Sequence, residues 1–352
     1  MPGKPACASI GTMTLPDHMI AVAITRPGGP DVLAPRTEPL PQTGPSDVLI
    51  RVAAAGVNGP DLAQRRGLYA APPGASPLPG LEVAGEIVAV GEAVTGFALG
   101  DRVMALTNGG GYAEYVAVPF GQALPVPQGW SLTEAAALPE TWFTVTQTLV
   151  MRAGLDKGMN VLIHGGAGGI GSAAIQICSI VGARAIAVVS DADKADYCGR
   201  LGAMAIIDRT RESIAERVMA LTDGHGADRV VDLIGGALTA VNIAASARGG
   251  HIVQISTLEG GTANVPLRTM MAKDLTLSGS TLRPQSAKTK AAIASHIKQA
   301  FLPALAALDW IKPNIATVPL AQAHRAHAEM ETRGHRGKLV LLTAFGAADR
   351  AS

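Results

Sequence analysis

The sequence predicts an α/β fold, a doubly wound parallel sheet preceded by a mostly β region. Three observations carry this. From residue 160 onward, short apolar runs alternate with helical stretches, the pattern of successive βαβ units. A glycine turn, His164–Gly165–Gly166–Ala167–Gly168–Gly169–Ile170–Gly171, lies between the first such run and the helix that follows it. Ahead of residue 120, short strands recur at regular spacing with glycine and proline turns between them, as in a small β-barrel or sandwich.

Taken in order, residues 1–18 read as a tail, with Met13 and Met19 as alternative starts. Strands are expected at 19–25, 47–57, 86–90, 100–106 and 112–118. Ser131 and Glu134 form a capping box at the head of an apolar helix. Then come a strand at 160–164, a helix at 170–181, a strand at 184–189 and a helix at 193–201. A strand at 205–207, a helix at 211–221, a strand at 229–234 and a helix at 238–247 continue the alternation, with further strands at 251–255 and 275–278. From 287 the chain reads as a long helix, an extended stretch at 314–320, a helix at 320–333 and a last strand at 338–343.

Composition narrows the function. The 352 residues suit about two domains. With 29 Lys+Arg against 28 Asp+Glu, no broad basic face for nucleic acid is expected. Aromatic residues are 3% of the chain, so the core is aliphatic and stacked-base recognition lacks its platforms. Cys7, Cys178 and Cys198 are too scattered for a disulfide framework, and no C-x-x-C pair offers a cysteine zinc site. A reducing cytoplasm is therefore the expected compartment. No secretory leader and no transmembrane run is expected, and hence no membrane partner.

The glycine turn carries the most chemistry. Gly166, Gly168 and Gly171 fit G-x-G-x-x-G in the strand–turn–helix setting that a dinucleotide requires. The first glycine is expected to allow the tight turn, the second to let pyrophosphate reach backbone N–H groups, and the third to let helix and strand pack closely. The alternative is a purely structural turn. At the end of the second strand, Asp191 stands where an acid would hold a ribose 2′-hydroxyl, favouring NAD. Lys194 could instead pair a 2′-phosphate, favouring NADP, and both could be ordinary helix-start charges. His324 and His327 read as a solvent-exposed pair rather than a metal site. The 275–282 segment reads as an edge strand open to a second copy of the chain.

These residues resemble the quinone oxidoreductase (zeta-crystallin-like) branch of the zinc-free medium-chain dehydrogenase/reductase superfamily. The likeness runs from about Met19 to Thr343. It is most specific over Gly158 to Gly171, with Gln176 and Ser179 following. Ala54 to Asp61, Gly100 to Val103 and Gly109 to Val116 resemble the GroES-like catalytic domain, and Ala135 to Pro139 with Thr144 resemble the helix leading into the cofactor domain. The resemblance implies a Rossmann-type sheet at 143–283, inserted in a GroES-like, mostly β catalytic domain at 19–142 and 284–345. It implies a homodimer that reduces quinones with NADPH, NADH being possible, without a metal. Alternatives are an enone or alkenal reductase, or a non-enzymatic nucleotide-binding, crystallin-like protein.

By position, the resemblance implies that Gly168, Gly169 and Ile170 meet the pyrophosphate, and that Ser190 and Lys194 lie near the adenosine phosphate. Thr144, Asp232, Ile234, Ser256 and Leu258 would line the nicotinamide side, and the chain would return to the cleft at Gly337–Lys338. Two departures weaken an NADP preference: Asp191 and Asp208 put acids where a Ser or Thr and a Tyr are common. Zinc-dependent relatives carry a cysteine where Asn58 stands and a histidine where Leu81 stands, leaving Glu82 unable to hold a metal alone. Hydride transfer places charge on the acceptor oxygen, so a hydrogen-bond donor should face it. Asn58 and Tyr69 are the candidates; their plainer readings are a turn residue after Gly56 and a surface tyrosine.

Overall fold

A computed structural model of the chain describes residues 15–349 except residue 308. Most of the expected tail, with Cys7, lies outside the described residues. The first strand already begins inside that tail, at His18.

Six parallel strands form one sheet. Their order is Ala205–Asp208, Arg184–Val189, Asn160–Ile163, Ala227–Asp232, Ser246–Gln254, Thr276–Gly279. The chain starts in the middle, at Asn160–Ile163, winds outward to one edge, then returns and winds to the other. The strand order therefore reverses beside Asn160–Ile163, the place where α/β sheets open a crevice at their carboxyl ends. Strands such as Asn160–Ile163 are buried on both faces, which is why they read as continuous apolar runs.

A second sheet of seven strands takes members from both sides of that segment in the sequence. Its path is Ile315–Pro319, Lys338–Leu342, Asp47–Gly56, Glu82–Val90, Arg102–Leu106, Ala123–Pro125, with Tyr115–Pro119 also paired to Asp47–Gly56. Lys338–Leu342 runs antiparallel to the end of Asp47–Gly56, with Val340 opposite Gly56. That register brings the start of the last strand beside Asn58, 280 residues earlier in the chain. A separate ribbon pairs His18–Ile24 with Leu33–Pro39.

The capping box forms as expected: Ser131 Oγ accepts from the Glu134 N–H while Glu134 reaches back to the Ser131 N–H. One cluster of buried side chains runs from Ala54 and Met104 in the seven-stranded sheet, through Trp142 and Phe143, to Ile163 in the other sheet and Ile175 in the helix Gly169–Val181. The two sheets thus share an aliphatic core.

Candidate functional site

The glycine loop leaves the strand Asn160–Ile163 and enters the helix Gly169–Val181. The left-handed residue of the turn is Gly165, at φ 62°, rather than Gly166. Gly166 is small for another reason: a Cβ there would meet Ala187 Cβ at 2.9 Å and Cys198 Sγ at 3.0 Å. At Gly171 a Cβ would lie 2.3 Å from the Gly165 carbonyl, so its absence lets helix and strand close. Gly168, by contrast, has only the Gly165 carbonyl within reach, at 3.4 Å, leaving its surface open to an approaching group. The first-turn N–H groups of Gly169, Ile170 and Gly171 have no intrahelical acceptor and stand at the positive end of a 13-residue helix. This cradle fits the pyrophosphate of a dinucleotide.

Where the adenosine phosphate is expected, Ser190, Asp191, Asp208, Thr210 and Arg211 line a cavity of about 250 Å³. Asp191 and Lys194 are not rivals for a ribose: they are paired to each other. Asp191 caps its helix by accepting from the Lys194 N–H at 2.9 Å, and the Lys194 ammonium lies 3.0 Å from its carboxylate and 3.1 Å from Ser190 Oγ. These bonds hold the Asp191 carboxyl below the usual range. Asp208 is likewise engaged, with the N–H and hydroxyl of Thr210 and with Arg211 at 3.6 Å. Arg211, which sequence reading assigned to a helix, precedes the helix Ile214–Leu221 and adds an exposed cation to this cavity.

At the other end, Ile234 and Leu258 lie on the two turns that follow the strands Ala227–Asp232 and Ser246–Gln254. Those turns are tied by Leu258 N–H to Leu233 O and Glu259 N–H to Ile234 O. Ser256 lies between them, and its carbonyl accepts from Gln254. Asp232 does not present a free carboxylate here. It is fully buried and spends its oxygens on the N–H groups of Ile234 and Gly235 and on Asn242, which in turn holds His164. Thr144 is buried in the helix Pro139–Val145, at the boundary of the two sheets.

Of the two residues expected on the catalytic side, Asn58 belongs to a buried polar cluster and Tyr69 lies beside it. Asn58 donates to Glu82 Oε1 at 2.8 Å and accepts from the Lys338 ammonium at 2.5 Å. Lys338 also lies 2.5 Å from Glu82 Oε1, and Glu82 Oε2 accepts from the Glu140 N–H at 2.9 Å. A Cβ at Gly56 would lie 2.0 Å from Glu82 Oε1, so only glycine admits this carboxylate. Asn58 is thus more than a turn residue: it starts the helix Gly59–Arg65, with Asp61 accepting from its N–H, and is 5% exposed. Lys338 is not a solvated turn cation. Its ammonium is committed to Asn58 and Glu82, and what it offers the loop is its alkyl stem, 2.9 Å from where a Gly169 Cβ would be. Gly337 N–H donates to Ala167 O, so the returning chain does reach the glycine loop.

Beside this cluster, Tyr69 is half-buried with the Arg283 guanidinium 5.6 Å from its ring centre. Arg283 donates to Asn108 O at 3.0 and 2.7 Å, and Lys290 donates to Arg283 O and to Asn108 Oδ1. Burial pushes the Asp61 carboxyl up to about 6, against hydrogen bonds from the Gly80 and Asn58 N–H groups. Burial, with the charges of Glu82 and Asp61, pushes the Glu140 carboxyl up to about 8. Burial pulls the Lys290 ammonium down to about 8. Sequence reading missed Glu140, Arg283 and Lys290, because no spacing signal joins them.

The His324–His327 expectation is corrected in half. His324 is exposed, but His327 is fully buried, between the Arg65 guanidinium at 3.3 Å and the Tyr112 hydroxyl at 3.0 Å. Burial and Arg65 pull its pKa down to about 3. Among the described residues, no three His, Cys, Asp or Glu side chains are grouped to hold a metal ion, and no helix is long and apolar enough to cross a membrane.

Sheet order and glycine cradle define a two-domain scaffold of the dinucleotide-binding dehydrogenase type. Comparison with known proteins narrows the class. Residues 44–128 match the alcohol dehydrogenase GroES-like domain, and residues 169–296 match the zinc-binding dehydrogenase family. A quinone oxidoreductase of Pseudomonas aeruginosa is 34% identical over 318 residues, covering 90% of this chain and 97% of that one. The structure of Escherichia coli quinone oxidoreductase complexed with NADPH superposes with a TM-score of 0.78 at 26% identity, over 92% of this chain and 99% of that one. An NAD-dependent alcohol dehydrogenase superposes equally well, at 0.78 and 32% identity, over 92% and 99% of the two chains. The chain belongs to the quinone oxidoreductase family of the medium-chain dehydrogenase/reductase superfamily.

Proposed function

We propose that this protein is an NADPH-dependent reductase of quinones that works by hydride transfer without a metal. The observation that carries this reading is a juxtaposition: an open pyrophosphate cradle at Gly168–Gly171 lies one lysine stem away from the buried Asn58–Glu82–Lys338 cluster. A bound nicotinamide dinucleotide would supply the hydride. The protein holds the phosphates on helix N–H groups, excludes water and orients the two partners. NADPH crystallised with the Escherichia coli relative supports the phosphorylated cofactor, and Arg211 is the cation best placed for its 2′-phosphate. NADH is tolerated, because Asp191 and Asp208 offset that charge.

Metal independence is supported by the donor set. Asn58 and Leu81 are not ligands of zinc's usual kind, and Glu82 is saturated by Asn58, Lys338 and the Glu140 N–H. On the acceptor side we place Asn58 and Tyr69. Tyr69 has the freer donor: its hydroxyl has no hydrogen-bond partner among the described residues, and burial raises its pKa, so it stays a phenol. A homodimer through the edge strand Thr276–Gly279 fits its exposed Leu277 and the exposed Leu267 and Met271 beside it. The reading is tested by mixing the protein with NADPH and 9,10-phenanthrenequinone and following the nicotinamide absorbance. Steady consumption is expected; none across quinones and enones overturns it.

A further inference from the structure

We propose that Glu140 is a catalytic residue, the donor of the proton that completes reduction of the acceptor; this rests on the reductase reading above. Glu140 sits in the first turn of the helix Pro139–Val145 and is 8% exposed. Its N–H is tied to Glu82, so its main chain is fixed against the cluster. Its own carboxyl has no hydrogen-bond partner among the described residues, unlike the neighbouring acids. Glu82 has taken Asn58 and Lys338, and Asp61 has taken the N–H groups of Asn58 and Gly80. The Lys290 ammonium is held by Asn108 and the Arg283 carbonyl.

A buried carboxylate normally carries a partner, because water no longer solvates it. Here the local donors are spent and burial favours the neutral form, while the carboxyl oxygens are not among the sealed, unpartnered atoms and so reach the surface of the cluster, where a neutral acid has a proton to give. The charged groups acting on it come from every side: Glu82 and Lys338 from the sheet, Asp61 from the helix Gly59–Arg65, Lys290 from the helix Ala287–Ala300. Glu140 in turn acts on Tyr69 and Arg283, which stack on each other beside the cluster. The balance is simple. A bound reduced dinucleotide would give up a hydride from its C–H bond, the acceptor would gain that hydrogen with both electrons, and a single negative charge would be left on the acceptor oxygen. An O–H bond then forms there as the Glu140 O–H bond breaks, and the carboxylate regains its proton from solvent before the next turnover.

The test compares full-length wild type with Glu140→Gln and Glu140→Asp. One readout is the pH dependence of kcat with NADPH and 9,10-phenanthrenequinone. The other is infrared titration of the cofactor-free protein, which sees a protonated carboxyl directly. We expect a buried carboxylic-acid band that persists to about pH 8 in wild type and is missing from Glu140→Gln. We expect wild-type kcat to fall through the same pH region, and Glu140→Gln to be slower by roughly a hundredfold and flat there. Glu140→Asp should recover part of the rate with a displaced limb; should Glu140→Gln not fold, that displacement decides. An active wild type with Glu140→Gln matching its rate and pH profile overturns the proposal alone. A wild type that consumes no NADPH overturns the reductase reading, and the proton-donor role with it.

Discussion

The two ends of the cleft are built on opposite principles. At the glycine loop the proposed cofactor surface is backbone, and side chains are kept away: Gly168 is open, while Gly166 and Gly171 have no room for a Cβ. At the proposed acceptor end the surface is side chain. Asp61, Glu82, Glu140, Lys290 and Lys338 are buried within one neighbourhood of an otherwise aliphatic core. The first end is cheap to build, because helix N–H groups are unpaired in any case. The second is costly, because each charge must be paired or neutralised. An invariant group such as pyrophosphate suits the first solution; a reaction that moves a proton needs the second.

Removing a partner from the buried cluster should do the most damage. Lys338→Met leaves Glu82 charged and unpaired, which should cost about 3–5 kcal/mol in urea unfolding, and adding Glu82→Gln should recover part of it. Next is a pH effect. Unfolded Glu140 ionises near its ordinary value of 4.5, while the folded chain holds the proton to about 8. Between those values the unfolded state binds fewer protons, so stability falls as pH rises through that window and levels off above it. Thermal unfolding of Glu140→Gln should lack this decline.

The backbone end should respond in two distinct ways. Gly171→Ala drives a Cβ into the Gly165 carbonyl and should destabilise the fold by about 1–3 kcal/mol. Gly168→Ala should fold normally yet bind NADPH about tenfold more weakly, near 1.4 kcal/mol, because only the ligand's approach is obstructed. If both variants lost only stability, the loop would be structural. The smallest effect is expected at Arg211→Ala. Fluorescence titration should show NADPH affinity about two- to fivefold lower with NADH unchanged, as befits an exposed charge.

The same contrast explains what could be read from the chain alone. The glycine loop and the strand–helix alternation are local: each depends on residues within one turn or one run. The cluster is not. Residues 58, 61, 82, 140, 290 and 338 meet only because the last strand pairs with Asp47–Gly56 and the helix Ala287–Ala300 returns to the cleft. Asn58 and Lys338 were reachable through family likeness, but their mutual contact was not. Leu33–Pro39 escaped notice because two prolines interrupt it, which a ribbon paired on one side tolerates. His327 is hard to read because His324 and Arg325, just before it, are exposed, although its own face of the helix turns inward onto Arg65 and Tyr112.

The most direct measurement is NADPH consumption by chelator-treated protein with 9,10-phenanthrenequinone, run beside NADH. Turnover that survives chelation, stays coupled to hydroquinone formation and prefers NADPH is the predicted result. No turnover with any quinone or enone, or turnover lost on chelation and restored by zinc, would contradict a metal-independent NADPH:quinone reductase.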